Sequence, residues 1–204
     1  YTEHEVKNVN SDTKTVTVEN LRTGDISEHH YDKLIIASGA SPLVPPLNNV
    51  NLENIFTLRN PSDAFAIREL LDSGRVSSAV IVGGGFIGLE VAENLVHRGV
   101  DVTIVELAPH ILPTFDEEIA LYAQNHMISK GVKIITGEKV TGFEGSEGKV
   151  RAVKSTAGDI KADMAILSIG VRPNTGFAAE AGIELGVAGA IKVNKYMETN
   201  IKDI

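Results

Sequence analysis

Between Ala79 and Leu95 the chain reads AVIVGGGFIGLEVAENL: a short apolar run, three glycines in a row, then apolar residues at helical spacing. This predicts a buried strand over Ala79–Val82, a turn carrying Gly83-x-Gly85-x-x-Gly88, and an amphipathic helix over Ile87–Arg98. Each glycine has a physical task. Gly83 permits the tight turn, Gly85 lets a pyrophosphate approach the backbone at the helix N-terminus, and Gly88 lets helix and strand pack closely. The flanking elements distinguish this from a glycine-rich turn that holds nothing. A second strand, Val100–Val105, ends at Glu106, 23 positions beyond Gly83. A carboxylate there accepts from both hydroxyls of an adenosine ribose, and an ordinary exposed strand-end glutamate is the alternative.

The rest of the chain extends the same rhythm and then changes it. Asp116–Lys130 reads as a helix with an acidic first turn, and Val132–Thr136 as a third strand. Strand and helix alternating in units of about 30 residues imply parallel βαβ construction. Lys139–Phe143, Val150–Ser155 and Asp159–Ala162 then read as an antiparallel meander, followed by a buried strand over Ala165–Ile169. Before the glycine turn, Thr15–Glu19 and Ser27–His30 read as strands and the apolar run Leu34–Ala37 as a third, buried one. The prolines of Ser41–Pro46 mark a connector, Ser62 is the expected cap of a helix over Asp63–Leu71, and Ile191–Val193 is expected to be a last strand. The fold class is α/β, a Rossmann-like domain of parallel sheet with β-meander.

One unit occurs twice. TGDISEHHYDKLIIASGASP (Thr23–Pro42) returns as AGDIKADMAILSIGVRP (Ala157–Pro173), and the closing part aligns without a gap at an offset of 131: Asp32 on Asp163, Gly39 on Gly170, Pro42 on Pro173. The second copy follows a complete βαβαβ half, with 80 residues between Gly83 and Asp163. Only 31 residues precede Asp32, so the first copy's own glycine turn is expected upstream of Tyr1, by about 50 residues.

Composition excludes several classes. With 43% apolar and 23% charged residues the chain is globular, and a net charge of −8 argues against nucleic acid or anionic membrane as a partner. There is no cysteine, hence no thiolate metal site and no thiol nucleophile. This is compatible with a reducing compartment, and a cytoplasmic location is expected. The histidines show no metal-ligand spacing, Asp116-Glu117-Glu118 is explained by a helix first turn, and no Ser/His/Asp arrangement is legible; no catalytic or metal residue is assigned. By periodicity alone Phe86 reads as core, and Glu90 as a residue that favours the helix dipole.

YDKLIIASGASPLVPP, VIVGGGFIGLEVAENLVHRGVDVTIVE, ADMAILSIGVRPNT and YMETNIKDI together resemble the FAD-dependent pyridine nucleotide-disulfide oxidoreductases, most of all the coenzyme A-disulfide reductase, NADH oxidase and polysulfide reductase branch. The resemblance implies two dinucleotide-binding domains, one for FAD interrupted by one for NAD(P)H, and then a dimerisation domain. On that plan residues 1–60 are a partial FAD-domain remnant, 61–175 the NAD(H)-binding domain, and 176–204 the return to the FAD domain. It further implies that Val6, Ser38 and Gly39 lie at the flavin nucleotide, and that Gly83, Gly85, Phe86, Ile87, Gly88, Glu106 and Gly170 serve the nicotinamide nucleotide. Phe86 would be an aromatic gate, and Glu90, also cofactor-binding, the partner of a lysine near the flavin that lies outside this sequence. The cofactors implied are NADH, with NADPH left open, and FAD in the full-length protein. The partner would be a small-molecule electron acceptor (a disulfide, a persulfide or polysulfide, or oxygen), within a homodimer. The redox cysteine would lie outside the sequence, so these 204 residues alone are expected to be inactive. Two alternatives are a stand-alone nucleotide-binding or sensing module and a single-domain dehydrogenase.

Overall fold

The chain crosses twice between two compact units, at Ser41/Pro42 and at Val171/Arg172. The structure is a computed structural model and describes all residues, 1–204. In chain order the elements are β1 (His4–Asn10), β2 (Thr15–Asn20), β3 (Ile26–His30), β4 (Ala40–Pro42), β5 (Ile55–Thr57), α1 (Pro61–Asp72), β6 (Ser78–Val82), α2 (Phe86–His97) and β7 (Asp101–Val105). There follow α3 (Glu117–Ser129), β8 (Lys133–Ile135), β9 (Val140–Ser146), β10 (Lys149–Ser155), β11 (Gly158–Lys161), β12 (Met164–Leu167), β13 (Val171–Pro173) and α4 (Gly176–Glu180).

The unit from Pro42 to Val171 has three layers. Its centre is a parallel sheet of order β5-β12-β6-β7-β8. Period-two alternation divides the sheet's side chains between two cores. Ala79, Ile81, Val102, Ile104, Met164 and Ile166 face α1 and α2, where Ile67, Leu70, Val91, Ala92 and Leu95 are buried. Val80, Val82, Val105, Ala165 and Leu167 face the antiparallel sheet β11-β10-β9, packing on Val140, Phe143, Val150 and Val153. The meander therefore covers one face, as its sequence requires. β5 was not legible: only three residues long, it adds an edge strand by pairing Ile55, Phe56 and Thr57 with Ala165, Ile166 and Leu167. This draws residues N-terminal of 61 into the parallel sheet.

Local signals explain most boundaries. α1 is capped by Asn60, not Ser62: the Asn60 side chain accepts from the Asp63 N–H at 3.1 Å and the Asp63 carboxylate accepts from the Asn60 N–H at 3.1 Å. Pro61 is what moves the start back, because its missing N–H and fixed φ suit a first helical position. α3 begins after Asp116, which is its N-cap residue.

The other unit joins Tyr1–Ser41 to Arg172–Ile204. Its antiparallel sheet β1-β2-β3 includes a strand that its polar sequence concealed, held by pairs such as Val9 with Val16. The expected buried strand at Leu34–Ala37 does not form: no strand pairs with it and Ile35 is 89% exposed. An apolar run becomes a strand only against a partner, and here the Leu34 N–H instead meets the Asp203 carbonyl at 2.8 Å. Asp203 also takes Lys14 and Lys33 at 2.6 and 2.9 Å, and the hydrogen bonds from these two ammonium groups, that from Lys14 first, pull its carboxyl down to about 2. Ile191–Val193 is not a strand either. It makes a single bridge, Leu185 with Ile191, because the chain turns at Val187–Gly189, where Ala188 has φ 54°.

The sequence repeat is a structural repeat at its glycine ends. Gly170 accepts from the Leu43 N–H at 3.0 Å, and Gly39 accepts from the Asn174 N–H at 3.0 Å. These two bonds are related by the same offset of 131. The aspartates of the repeat differ, however. Asp163 Oδ2 accepts from the N–H and the hydroxyl of both Ser77 and Ser78, at 2.8–3.0 Å, while its carbonyl accepts from Asn54 at 3.1 Å. Asp163 thus ties the leading ends of β5, β12 and β6 together. Burial pushes its carboxyl up, but the four hydrogen bonds outweigh burial and hold it below the usual carboxylate range.

Asp163 contributes stability that is complete above the unfolded carboxyl value, about 3.9, and is lost as pH falls through the lowered folded value. Asp163→Asn is expected to cost roughly 1.5–3 kcal/mol at neutral pH and to flatten the acid limb of stability. Chemical denaturation near neutral pH and below about pH 3 checks this. An unchanged acid limb contradicts it.

Candidate dinucleotide site

The glycine turn is set by contacts that exclude side chains. Gly83 has φ 106°, and a Cβ on it would lie 2.6 Å from the Ser168 carbonyl oxygen. A Cβ on Gly88 would fall 2.2 Å from the Gly83 carbonyl oxygen and 2.8 Å from Ser168 Oγ. Helix α2 therefore crosses the end of β6 at backbone contact. Ser168 secures the crossing, its hydroxyl lying 3.0 Å from the carbonyl oxygens of both Val82 and Gly83. Gly85 is different: nothing lies within 4 Å of its Cβ position, and it is the N-cap of α2 without any side-chain cap. The positive end of the helix dipole and its first N–H groups are thus left open to an anion.

Glu106 is not an ordinary exposed strand-end glutamate. It is 9% exposed, and its two oxygens accept from separate backbone groups, Oε2 from the Gly84 N–H at 2.6 Å and Oε1 from the Ala108 N–H at 2.7 Å. Each oxygen keeps a further lone pair. The carboxylate is a strut between the glycine turn and the loop after β7. The same loop returns across the turn, where Leu112 donates to the Gly84 carbonyl at 2.9 Å and the fully buried Ile111 fills the space beside Gly84. A Cβ on Gly84 would lie 2.8 Å from Ile111. Sequence reading passed over Gly84, Ile111 and Ser168. Gly84 is a variable position of the glycine pattern, and the other two act through contacts distant in sequence.

Phe86 is 63% exposed, so it is not core. Its ring meets that of Phe115, itself 42% exposed, edge-on at 5.8 Å and 72°. Phe86, Ile87 and Glu90 line one side of a groove of about 900 Å³ whose other wall is α1 with its cap, including Asn60, Ala64 and Arg68. Glu90 is exposed on α2. Gly170, with φ 116°, lies two residues past Ser168, and only the Leu43 side chain comes within 4 Å of its Cβ position. The structure thus gathers Gly83, Gly85, Phe86, Ile87, Gly88, Glu106 and Gly170 around the trailing ends of β6, β7 and β12, with Glu90 one turn along α2. Val6, Ser38 and Gly39 belong to the other unit. Val6 is on β1 and 43% exposed, while the Ser38 hydroxyl donates to the Asn174 carbonyl at 2.6 Å. No group of three His, Asp or Glu side chains is placed to hold a metal, and no helix is long and apolar enough to cross a membrane.

An NADH oxidase of Enterococcus faecalis is 38% identical over 99% of this chain and 45% of its own length. A NAD(P)H coenzyme A polysulfide/persulfide reductase of Pyrococcus horikoshii is 36% identical over 89% of this chain and 40% of its own. The chain thus spans less than half the length of these relatives. Among solved structures, a NAD-dependent persulfide reductase from A. fulgidus superimposes with a TM-score of 0.92 at 33% identity, covering 98% of this chain and 37% of that one. The model of the pyridine nucleotide-disulphide oxidoreductase family matches residues 1–204, and the chain belongs to that family.

Proposed function

We propose that this chain is the nicotinamide-nucleotide-binding portion of a flavoprotein that passes hydride from NADH to FAD and on to a disulfide, a persulfide or polysulfide, or oxygen. The observation that carries the reading is the pairing of an open Gly85 with a buried Glu106 on the same turn. Gly85 and the uncapped start of α2 fit a pyrophosphate, for which they offer free N–H groups and the helix dipole. Glu106 lies at the end of β7, where an adenosine ribose would rest, and its backbone bonds fix the direction of its remaining lone pairs. Nicotinamide would supply the hydride and flavin would accept it; the task of these residues is to bind and orient. Val6, Ser38 and Gly39 are proposed for the flavin nucleotide on the strength of family likeness. The acceptor classes follow the names of the relatives. A homodimer through a further domain and a cytoplasmic location belong to the same proposal. A stand-alone nucleotide-binding module is the competing reading, and the intact mass of the native protein separates the two.

Cofactor choice tests the assignment of Glu106. NADPH would bring a phosphate against this carboxylate, and Leu107-Ala108-Pro109 supply no arginine to neutralise it. The next residue, His110, has its Nδ1 engaged with the Ile111 carbonyl at 2.8 Å. NADH is expected to bind at least about tenfold tighter than NADPH, a gap of roughly 1.4 kcal/mol. Glu106→Gln keeps an oxygen for one backbone N–H while removing the charge, so it should narrow the gap. Calorimetric titration of both nucleotides at one salt concentration decides. Equal affinities in the wild type, or a parallel loss of both in the variant, would mean that Glu106 is a strut only.

A further inference from the structure

The peptide between Gly83 and Gly84 has no side chain on either flank to oppose its rotation. It is nevertheless held at both ends. Its N–H donates to Glu106 Oε2 at 2.6 Å, and its carbonyl oxygen accepts from the Ser168 hydroxyl at 3.0 Å. A trans peptide points these two groups in opposite directions, so Glu106 and Ser168 grip one rigid plane from opposite sides. The neighbouring groups are bonded independently. The Gly83 N–H donates to the Val105 carbonyl at 2.8 Å, and the Gly84 carbonyl accepts from the Leu112 N–H at 2.9 Å. The Ser168 hydroxyl also lies 3.0 Å from the Val82 carbonyl, but that oxygen already accepts from the Ser168 N–H at 2.8 Å. Gly83 is buried and no backbone N–H donates to its carbonyl, so this is the oxygen that needs the hydroxyl.

We infer that Ser168 is a positioning residue for the dinucleotide site: its hydroxyl holds the Gly83–Gly84 peptide in the orientation that presents the Gly84 N–H to Glu106. The inference rests on the dinucleotide reading above. Without the hydroxyl the buried Gly83 carbonyl has no donor, and rotation of the unhindered plane is the relief open to it. Rotation brings a carbonyl oxygen to the side of the Glu106 carboxylate, where two acceptors repel and Oε2 loses its bond. The carboxylate then no longer aims its free lone pairs at the adenosine ribose. Ser168 thus acts on cofactor choice through a peptide, from the end of β12, which lies across β6 from β7 and Glu106.

Titration of NADH and NADPH, together with the amide spectrum of the isotope-labelled chain, tests this. Ser168→Ala is expected to weaken NADH roughly three- to tenfold, the worth of one neutral hydrogen bond, and to leave NADPH within about twofold. In a Glu106→Gln background the same change should alter the ratio of the two affinities by less than about twofold, because the carboxylate it positions is gone. The Gly84 amide proton, bonded to a carboxylate at 2.6 Å, should move upfield in Ser168→Ala even without nucleotide, although the hydroxyl does not touch it. An equal loss of both nucleotides, an unchanged NADH affinity, an unmoved Gly84 signal, or an undiminished effect on the ratio in the Glu106→Gln background would overturn the role of Ser168. Should Ser168→Ala fail to fold, Ser168→Cys, whose thiol is a weaker donor, carries the same expectations in reduced size. If the wild-type chain binds neither nucleotide, the dinucleotide reading falls, while the Gly84 signal still decides whether Ser168 holds the peptide.

Discussion

The structure depends on one close approach, that of α2 to the end of β6. The Gly83 carbonyl oxygen lies where a Gly88 side chain would begin, and the Ser168 carbonyl lies where a Gly83 side chain would begin. The glycine turn and the end of β12, some 85 residues apart in sequence, therefore meet with backbone and one hydroxyl between them. That contact sets the height of the helix above the sheet, which in turn brings its N-terminus to the trailing edge with its first N–H groups facing out. Without it, the opening at Gly85 and the carboxylate at Glu106 would not share one turn.

Glu106 links this constraint to chemistry. A carboxylate buried to 9% exposure is costly unless hydrogen-bonded, and here two backbone N–H groups satisfy it. The same bonds determine its orientation, so the residue stabilises the loop after β7 and aims its free lone pairs at once. The sequence repeat acts on a larger scale. Leu43 to Gly170 and Asn174 to Gly39 are equivalent bonds in two copies of one motif. Only the second copy has its strand in a parallel sheet; β12 pairs on both sides, whereas Leu34–Ala37 pairs on neither.

Legibility in the sequence followed how local the physics is. The glycine turn, β6, α2, β7, α3 and the meander could be read because period, turn residues and helix-start signals lie within a few positions of one another. β5 and β1 could not. Three residues at a sheet edge carry no period, and β1 is polar and stands mainly on cross-strand pairing. Leu34–Ala37 failed for the opposite reason: its apolar pattern is genuine, but a strand needs a neighbour. At the site, Gly83, Gly85, Gly88 and Glu106 were found by their spacing. Ser168 and Ile111 were missed because their contacts with the turn cross long sequence separations, and Phe115 because only the folded loop sets it against Phe86. Periodicity placed Phe86 in the core, since the first turn of a helix offers too few residues to tell a buried face from an open one.

The central claim is that a nicotinamide dinucleotide lies across this turn, with its pyrophosphate at Gly85 and its adenosine ribose at Glu106. Amide chemical-shift mapping of the isotope-labelled chain during NADH titration tests it most directly. The account predicts the largest changes at Gly84, Gly85, Phe86 and Ala108, whose N–H groups either face the pyrophosphate or bond to Glu106, with a second set at Ile169 and Gly170. Binding that leaves these amides unmoved and shifts others, or no binding at all, would contradict it.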